Sequence, residues 1–571
     1  MPKDIATTLR VTLGQASSAG SKPENQDFHG ARLPEGRALA LKGVTLAIAD
    51  GISTSEVSAV AAETTVKALL TDYYDTPDSW TVKTAASRVI SATNSWLQAQ
   101  SSLTGIGDVD RGYVCTLAAM IIKARTAHLF HVGDSRIWRL SGQSLEPLTD
   151  DHRATYGGHS VLARAMGAGS HVDIDYRTVD LTPGDIFLLT TDGVHDFWRP
   201  SRVAQVIRDS PNFDSAAQQI ITDALEAGST DNLTLQILRI DALADSDLGF
   251  NDIQLPVPPL PRVGDMLDDY EILRSLHGNH RSHLFLAKDP NGAKVALKIP
   301  GPDMADDSDA LRKMVMEEWI ARRIDSPHVL HAPPSGRRTA LYIVLDYIEG
   351  QTLRQWMRDN PKPDLGDVRD ILEQLIKGLR AFHRREMLHQ DIRPENVMIT
   401  RDGVVKLIDF GAAFVAGVQE AAPERGDDGI TGTYQYTAPE YFANEAVSWR
   451  AELFSVGVIA YEMLTGHLPY GTQAAKVRST RDRQSLRYRN ARDDAHPIPD
   501  WLDDALRKAV NPDPLRRHDA LSEFTANLRA PSISYQARHK RPLAERDPER
   551  FWKTLSGLLA LLCLILLARS S

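Results

Sequence analysis

Cysteine is nearly absent: Cys115 and Cys563 are the only two in 571 residues. Cys115 sits in an apolar, strand-like run and Cys563 in a terminal apolar run, so a disulfide framework is excluded and a reducing compartment is expected. A surplus of positive charge is missing too. With 65 basic and 75 acidic residues the net charge is −10, which argues against nucleic acid as a partner. The opening stretch, MPKDIATTLRVTLG, lacks the apolar core of a secretory signal. Internal repeats are also lacking. The remaining composition, 42% hydrophobic and 25% charged, is that of a globular protein. The length exceeds what one core can organise, so two large domains with accessory segments are expected.

Long hydrophobic runs are confined to the C-terminus. FWKTLSGLLALLCLILLARSS is apolar on every face from Leu555 to Ala568, apart from Ser556 and Gly557. Counted from Phe551, with Lys553 snorkelling, it makes about 27 Å of helix at ~1.5 Å per residue. A transmembrane helix over 551–568 is therefore expected, with Trp552 at the interface. Arg538, Lys540, Arg541, Arg546, Arg550 and Lys553 precede it. They place the bulk of the chain on the cytoplasmic face of the inner membrane, held by a C-terminal tail anchor.

Upstream, residues 1–243 alternate β-like runs, such as VTLAIADG (44–51) and DIFLLTTDG (185–193), with helical ones. Residues 244–265 carry Pro256, Pro258, Pro259 and Pro261 and read as a semi-rigid linker. Residues 266–530 run from a strand-rich start into a helical half, and 531–550 is a basic segment leading to the tail.

Four aspartates stand out in the first half. Asp50 and Asp192 each end an apolar strand and precede a glycine, Asp231 begins a strand, and Asp27 lies in KPENQDFHG. Carboxylates converging at strand ends make a hard oxygen site for Mg²⁺ or Mn²⁺, able to activate a water toward a phosphate. Each Asp-Gly pair alone is an ordinary turn signal. Taken in order with VGDSRIWRL, LTDDH and LARAMG, the set resembles the metal-dependent protein Ser/Thr phosphatases of the PPM type over residues 10–240. The resemblance implies two packed antiparallel sheets flanked by helices. It also implies that Asp27, Asp50, Gly51 (through its carbonyl), Asp192 and Asp231 hold the metals, with Asp151 at a third ion. Three departures are visible, the first being that the Gly-Gly expected after the second metal motif is replaced in DGISTS. The family's phosphate-binding Arg is Lys22 here, which supplies charge without a bidentate fork. No His follows Asp50-Gly51 to act on the leaving group.

The second half places Lys298 on the strand VALKIP and Glu317 on the helix that follows. LHQDIRPENVMI supplies Asp391 to accept a hydroxyl proton and Asn396 to hold a metal; VVKLIDFGAA supplies Asp409 for the metal on the ATP phosphates. With TAPE, FSVGVIAYEMLTG and DPLRR following in order, residues 268–525 resemble the eukaryotic-like protein Ser/Thr kinases, which implies a bilobal fold. By that resemblance Arg393 stands near the transferred phosphoryl, and Leu276, Leu284, Ala296, Lys298, Asp346 and Ile348 line the ATP site. The phosphate-covering loop, HGNHRSHL (277–284), has lost all three family glycines. Gln390 replaces the Arg that pairs with a loop phosphate. Fittingly, residues 412–430 hold no Ser, Thr or Tyr, and Thr431 is the first acceptor.

The expectation is thus an α+β multidomain chain: a membrane-tethered bifunctional enzyme of bacterial type. It would use Mn²⁺ or Mg²⁺ to dephosphorylate phospho-Ser/Thr proteins, and ATP with Mg²⁺ to phosphorylate unmodified ones. Two alternatives stay open. One is a phosphatase governed by a pseudokinase; the other is a scaffold with both sites inactive. Retention of Lys298, Glu317, Asp391, Asn396 and Asp409 favours activity.

Overall fold

A computed structural model describes residues 8–104, 111–156, 159–244, 255–334, 336–421, 435–442, 445, 447–471, 473–474, 477, 479–492, 498–539 and 548–570. The chain forms two compact units. The first contains residues 1–256 together with two short stretches from far downstream, 384–387 and 414–427; the second contains the rest.

The first unit is built on two five-stranded sheets. One runs in the order β10-β5-β4-β3-β2, from β2 (Asp27–Arg32), β3 (Val44–Asp50), β4 (Leu117–Lys123), β5 (Thr126–Val132) and β10 (Asp175–Asp180). The other runs β1-β12-β11-β6-β7, from β1 (Arg10–Ser18), β6 (Arg136–Ser141), β7 (Ser144–Pro147), β11 (Ile186–Thr190) and β12 (Leu233–Ala242). Every ladder is antiparallel. A separate hairpin joins β8 (Arg153–Tyr156) to β9 (His159–Leu162).

Strand β3 shows why these runs lack polar alternation. Leu46 and Ile48 pack between the sheets with Phe187, Leu189, Leu238 and Ile240. Ala47 and Ala49 face the opposite way, against α2 (Ser58–Asp75) and α3 (Val82–Leu103). A strand covered on both faces must be apolar at every position. The other outer face is covered by α5 (Pro200–Asp209) and α6 (Phe213–Glu226), which bury Val203, Ile207, Ala216 and Ile220 on Leu235 and Ile237. Two short helices, α1 (Gly36–Lys42) and α4 (Asp192–His195), complete the part built from residues 8–244. The two-sheet sandwich flanked by helices is the expected architecture.

The second unit opens with a five-stranded antiparallel sheet in sequential order: β13 (Met266–Leu267), β14 (Tyr270–Gly278), β15 (Ser282–Lys288), β16 (Lys294–Pro300) and β17 (Ile343–Asp346). Helix α7 (Ser308–Ala321) follows β16, its N-terminus capped by Asp307. The helical half centres on Leu365–His383 and Trp449–Thr465. In the latter, Val456, Val458, Ile459, Ala460 and Tyr461 are all buried, so it is enclosed by its neighbours on every side.

The expected membrane span finds no support among the described residues. Among the described residues no helix is long and apolar enough to cross a membrane. Residues 551–568 do lie in a single helix, Pro548–Ser570, but it opens with Glu549, Arg550 and Lys553. Leu558, Leu559, Leu561 and Leu562 are exposed.

Candidate active sites

In the first unit, pairing of β2 with β3 sets Asp27 directly opposite Asp50, the last residue of its strand. A one-residue slip would send the two side chains to opposite faces, so the register of this pair fixes the site. Asp192 opens α4 immediately after β11. Gly193 follows it because nothing larger fits: a Cβ there would lie 2.1 Å from the Asn232 carbonyl oxygen. Asn232 ties the loop before Asp27 to the loop before β12. Its Oδ1 accepts from the Gln26 amide (2.9 Å), and its Nδ2 donates to the carbonyls of Ala19 and Glu24 (3.0 Å each).

These carboxylates crowd one another. Burial pushes Asp27 up to about 7 and Asp192 up to about 6; for Asp192 the charges of Asp134 and Asp231 add to the rise. Asp50 is raised well above the usual range by burial and by Asp27, Asp192, Asp134 and Asp231. Thr191 donates to Asp27 Oδ2 (2.9 Å), whereas Asp27 Oδ1 and Asp192 Oδ1 are buried with no hydrogen-bond partner. Oxygens left in this way within an all-carboxylate cluster are what a hard divalent cation would satisfy, so the residues fit Mg²⁺ or Mn²⁺.

Asp134, from VGDSR, belongs to the cluster although sequence reasoning left it out. Arg153 Nε donates to it (2.8 Å), and the same guanidinium reaches Asp192 Oδ2 (3.0 Å). Conversely, Asp151 is taken by a bidentate pair with Arg136 (2.7 Å twice). Lys22 spends its ammonium on Asp231 and on Ser53 Oγ (2.6 Å). Gly51 is packed tightly: a Cβ would meet Ser58 and Gln26 backbone atoms at 2.8–2.9 Å.

In the second unit, Lys298 Nζ donates to Glu317 Oε2 (2.6 Å) and lies 3.4 Å from Asp409 Oδ1. Burial opposes the ammonium, but Glu317 and Asp409 raise it above its ordinary value, so it stays charged. Asn396 Nδ2 donates to both the carboxylate (2.7 Å) and the carbonyl (2.9 Å) of Asp391. Gln390 and Asp409 both adopt left-handed backbone, φ 63° and 64°. The turn at Gln390 is held by Glu452, which accepts from the amides of His389 and Gln390 and from His383 Nε2 (2.5 Å). Arg393 pairs with Glu395 (2.9 Å), which Arg354 also holds (2.8 Å). Leu276 sits at a bulge of β14, Leu284 lies opposite Lys298, Ala296 opposite Leu345, and Asp346 opposite Val295; Ile348 follows β17.

Compared with known families, residues 15–229 match the model described as protein phosphatase 2C, and residues 278–526 match that of the protein kinase domain. The chain fuses a phosphatase 2C domain to a protein kinase domain.

Among curated relatives, the kinase domain is similar to the serine/threonine-protein kinase PrkC of Bacillus subtilis. They are 25% identical over 282 residues, 49% of this chain and 43% of that one. It is also similar to a probable serine/threonine-protein kinase PknB of Bifidobacterium longum, 30% identical over 254 residues, 42% and 36%. The chain thus spans under half the length of these kinases. Among solved structures, the phosphatase domain resembles PppA, described as a key regulatory component of T6SS in Pseudomonas aeruginosa. Identity is 21%, the TM-score is 0.35, and 41% of this chain and 99% of that one are covered. The Mycobacterium tuberculosis phosphatase PstP/Ppp aligns over the same shares at 22% identity and TM-score 0.35.

In the kinase domain, the degenerate loop closes on itself. Asn279 Oδ1 accepts from the amides of Arg281 (2.8 Å) and Ser282 (2.9 Å), and the Asn279 amide donates to the Ser282 carbonyl (3.0 Å). Amides that would face a phosphate in a glycine-rich loop are committed to the turn. TAPE and DPLRR meet through Glu440 and Arg517, a fully buried bidentate pair at 2.6 and 2.7 Å. Removing one partner strands a buried charge, so Glu440→Gln should cost about 3–5 kcal/mol of stability. Arg517→Lys should not spare it, because the fork is lost. Thermal denaturation of the chain checks both; a melting point unchanged in Glu440→Gln would contradict the assignment.

One other cluster brings metal-ligand types together in the phosphatase domain: His131, His152 and Asp175, with ligand atoms within 4.8 Å of one another. His152 Nδ1 accepts the Gly133 amide (3.1 Å), so its Nε2 carries the proton and donates to Asp175 Oδ2 (3.0 Å). That arrangement anchors β10 to the loop after β5, and its proton stands where a metal would bind.

Proposed function

We propose that the chain is a bifunctional signalling enzyme: a metal-dependent phosphatase of phospho-Ser/Thr proteins and an ATP-dependent Ser/Thr kinase. The observation that carries the reading is the pair of buried, unpartnered carboxylate oxygens on Asp27 and Asp192, alongside an assembled Lys298–Glu317–Asp409 and Asp391–Asn396 constellation. Asp27, Asp50, Asp192 and Asp231, with the Gly51 carbonyl, would hold Mg²⁺ or Mn²⁺; Asp134 reinforces the negative charge. When bound, the ions supply a water of lowered pKa and neutralise phosphate charge. Arg153 screens Asp134 from Asp192, and Lys22 balances Asp231.

In the kinase, Lys298 is held by Glu317 to meet the ATP phosphates, and Asn396 orients Asp391 to accept the substrate hydroxyl proton. Asp409 and Asn396 supply oxygens for the Mg²⁺ that accompanies ATP. A second reading, a pseudokinase governing the phosphatase, is favoured by the self-bonded turn at Asn279. Incubation with labelled ATP and Mn²⁺, beside an Asp391→Asn control, separates them: transfer lost in the control supports the kinase, and equal labelling refutes it.

Transfer should not depend on a loop phosphate, since Gln390 cannot make the charge-assisted pair one requires. Thr431, which lies outside the described residues, is the first acceptor after Asp409. Thr431→Ala, measured with Asp192→Ala so that hydrolysis does not mask the signal, should keep the kinase rate within a few-fold. A hundredfold loss would overturn this.

A further inference from the structure

Two stretches that flank the kinase catalytic residues belong to the first unit. Residues 384–387 end four positions before Asp391, and residues 414–427 begin five positions after Asp409. The strands Met387–Leu388 and Phe414–Val415 pair, and the Ala416 amide donates to the Glu386 carbonyl (3.1 Å). The helix Ala416–Ala421 follows.

Within the first unit these stretches are bonded at the N-terminus of α3 and the end of β4. A helix start leaves amides without intrahelical partners. Here carboxylates from more than 300 residues away satisfy them. Glu386 Oε2 accepts from the Thr81 amide (2.7 Å) and Oε1 from Thr84 Oγ1 (2.6 Å), while Glu420 Oε2 accepts from the Val82 amide (2.9 Å). The Gly417 amide donates to the Ser79 carbonyl (2.9 Å), and Trp80 Nε1 to the Arg384 carbonyl (3.0 Å). Lys123 is 1% exposed, and its ammonium donates to the Gly417 carbonyl (2.5 Å) and to Glu420 (3.2 Å). Both of its hydrogen-bond acceptors thus come from the downstream helix. A buried ammonium is tolerable only when paired, so the β4 terminus is built for that helix. Gly417 completes the fit: a Cβ there would lie 2.5 Å from the Trp80 carbonyl oxygen and 2.6 Å from that of Asp78.

We propose that Ser79–Thr84 and Lys123 of the phosphatase fold form a docking site for the start of the kinase activation segment. This site orders the segment in place of a phosphorylated loop residue. The catalytic half of the proposal rests on the kinase reading above. It accounts for the two absences together. With Gln390 and a hydroxyl-free stretch over 412–430, the loop has no phosphate switch of its own. Tethers of four and five residues, at most ~3.6 Å per residue, join the docked stretches to Asp391 and Asp409. Glu386, Glu420 and Lys123 are positioning residues that touch no substrate.

The test uses the full chain and hydrogen–deuterium exchange at peptides covering 79–84 and 414–421. Two variants are compared: Glu386→Gln with Glu420→Gln, which weakens the caps, and Gly417→Val, which wedges the contact apart without removing a charge. Each should raise exchange at both peptides at least tenfold and lower kinase turnover about tenfold. Hydrolysis of a small phosphoester should stay within twofold, which shows that the fold is intact. Unchanged exchange at 414–421 in Gly417→Val overturns the docking site. Raised exchange with full kinase turnover overturns the positioning role. A wild-type chain that transfers no phosphate defeats the kinase reading and the catalytic half, while exchange still decides the contact.

Discussion

Asp192→Ala should reduce hydrolysis of a phosphopeptide by at least about a thousandfold, on the order of 4 kcal/mol in barrier. The reason lies in how Asp192 is held. Its Oδ2 is engaged by Arg153, but its Oδ1 is buried without a partner. It stands in a cluster where every further donor is a carboxylate or a carbonyl. Removing one carboxylate takes away both charge and geometry from an oxygen-only cation site. Calorimetric titration with Mn²⁺ should show the loss directly, independently of turnover. Asp151→Asn is the informative contrast. Asp151 is committed to Arg136, so this change should leave Mn²⁺ binding close to that of the unaltered chain. Undiminished hydrolysis in Asp192→Ala would remove the metal assignment.

Asp391→Asn should abolish phosphoryl transfer, by at least about a hundredfold, the lower range expected for loss of a positioned proton acceptor. Asn396 donates to the Asp391 carboxylate, and an amide at 391 would present Asn396 with a poorer acceptor and the substrate hydroxyl with no base. The fold should be unaffected, since the Gln390 turn is held by Glu452 through backbone amides. Melting temperature and phosphatase rate therefore serve as internal controls. If Asp391→Asn transfers phosphate as fast as the parent, Asp391 is not the base and the self-bonded turn at Asn279 gains weight as the mark of a pseudokinase.

The sites were legible to the extent that local pattern and spacing placed them. Apolar strands ending in Asp-Gly marked Asp50 and Asp192, and the strand-then-helix spacing marked Lys298 and Glu317, which the structure joins at 2.6 Å. Asp134 and Asn232 escaped notice because nothing local distinguishes them. Asp134 sits in a turn after β5, and Asn232 matters only through three contacts with residues 19–26. The partner of Asp151 was illegible for the same reason: it depends on which guanidinium the fold brings to it, and Arg136 arrives from a neighbouring strand.

Sequence alone determined the two catalytic domains, the run of strands in each, and the hydroxyl-free stretch over 412–430, because periodicity, motif order and composition are properties of the chain as written. Only the tertiary structure brought Glu386, Glu420 and Lys123 to their partners. Nothing local in the sequence marks Glu386, Glu420 or Lys123. Their pairing across some 300 residues arises because a buried ammonium and two uncapped helix amides must find partners, and folding alone brings those partners within reach.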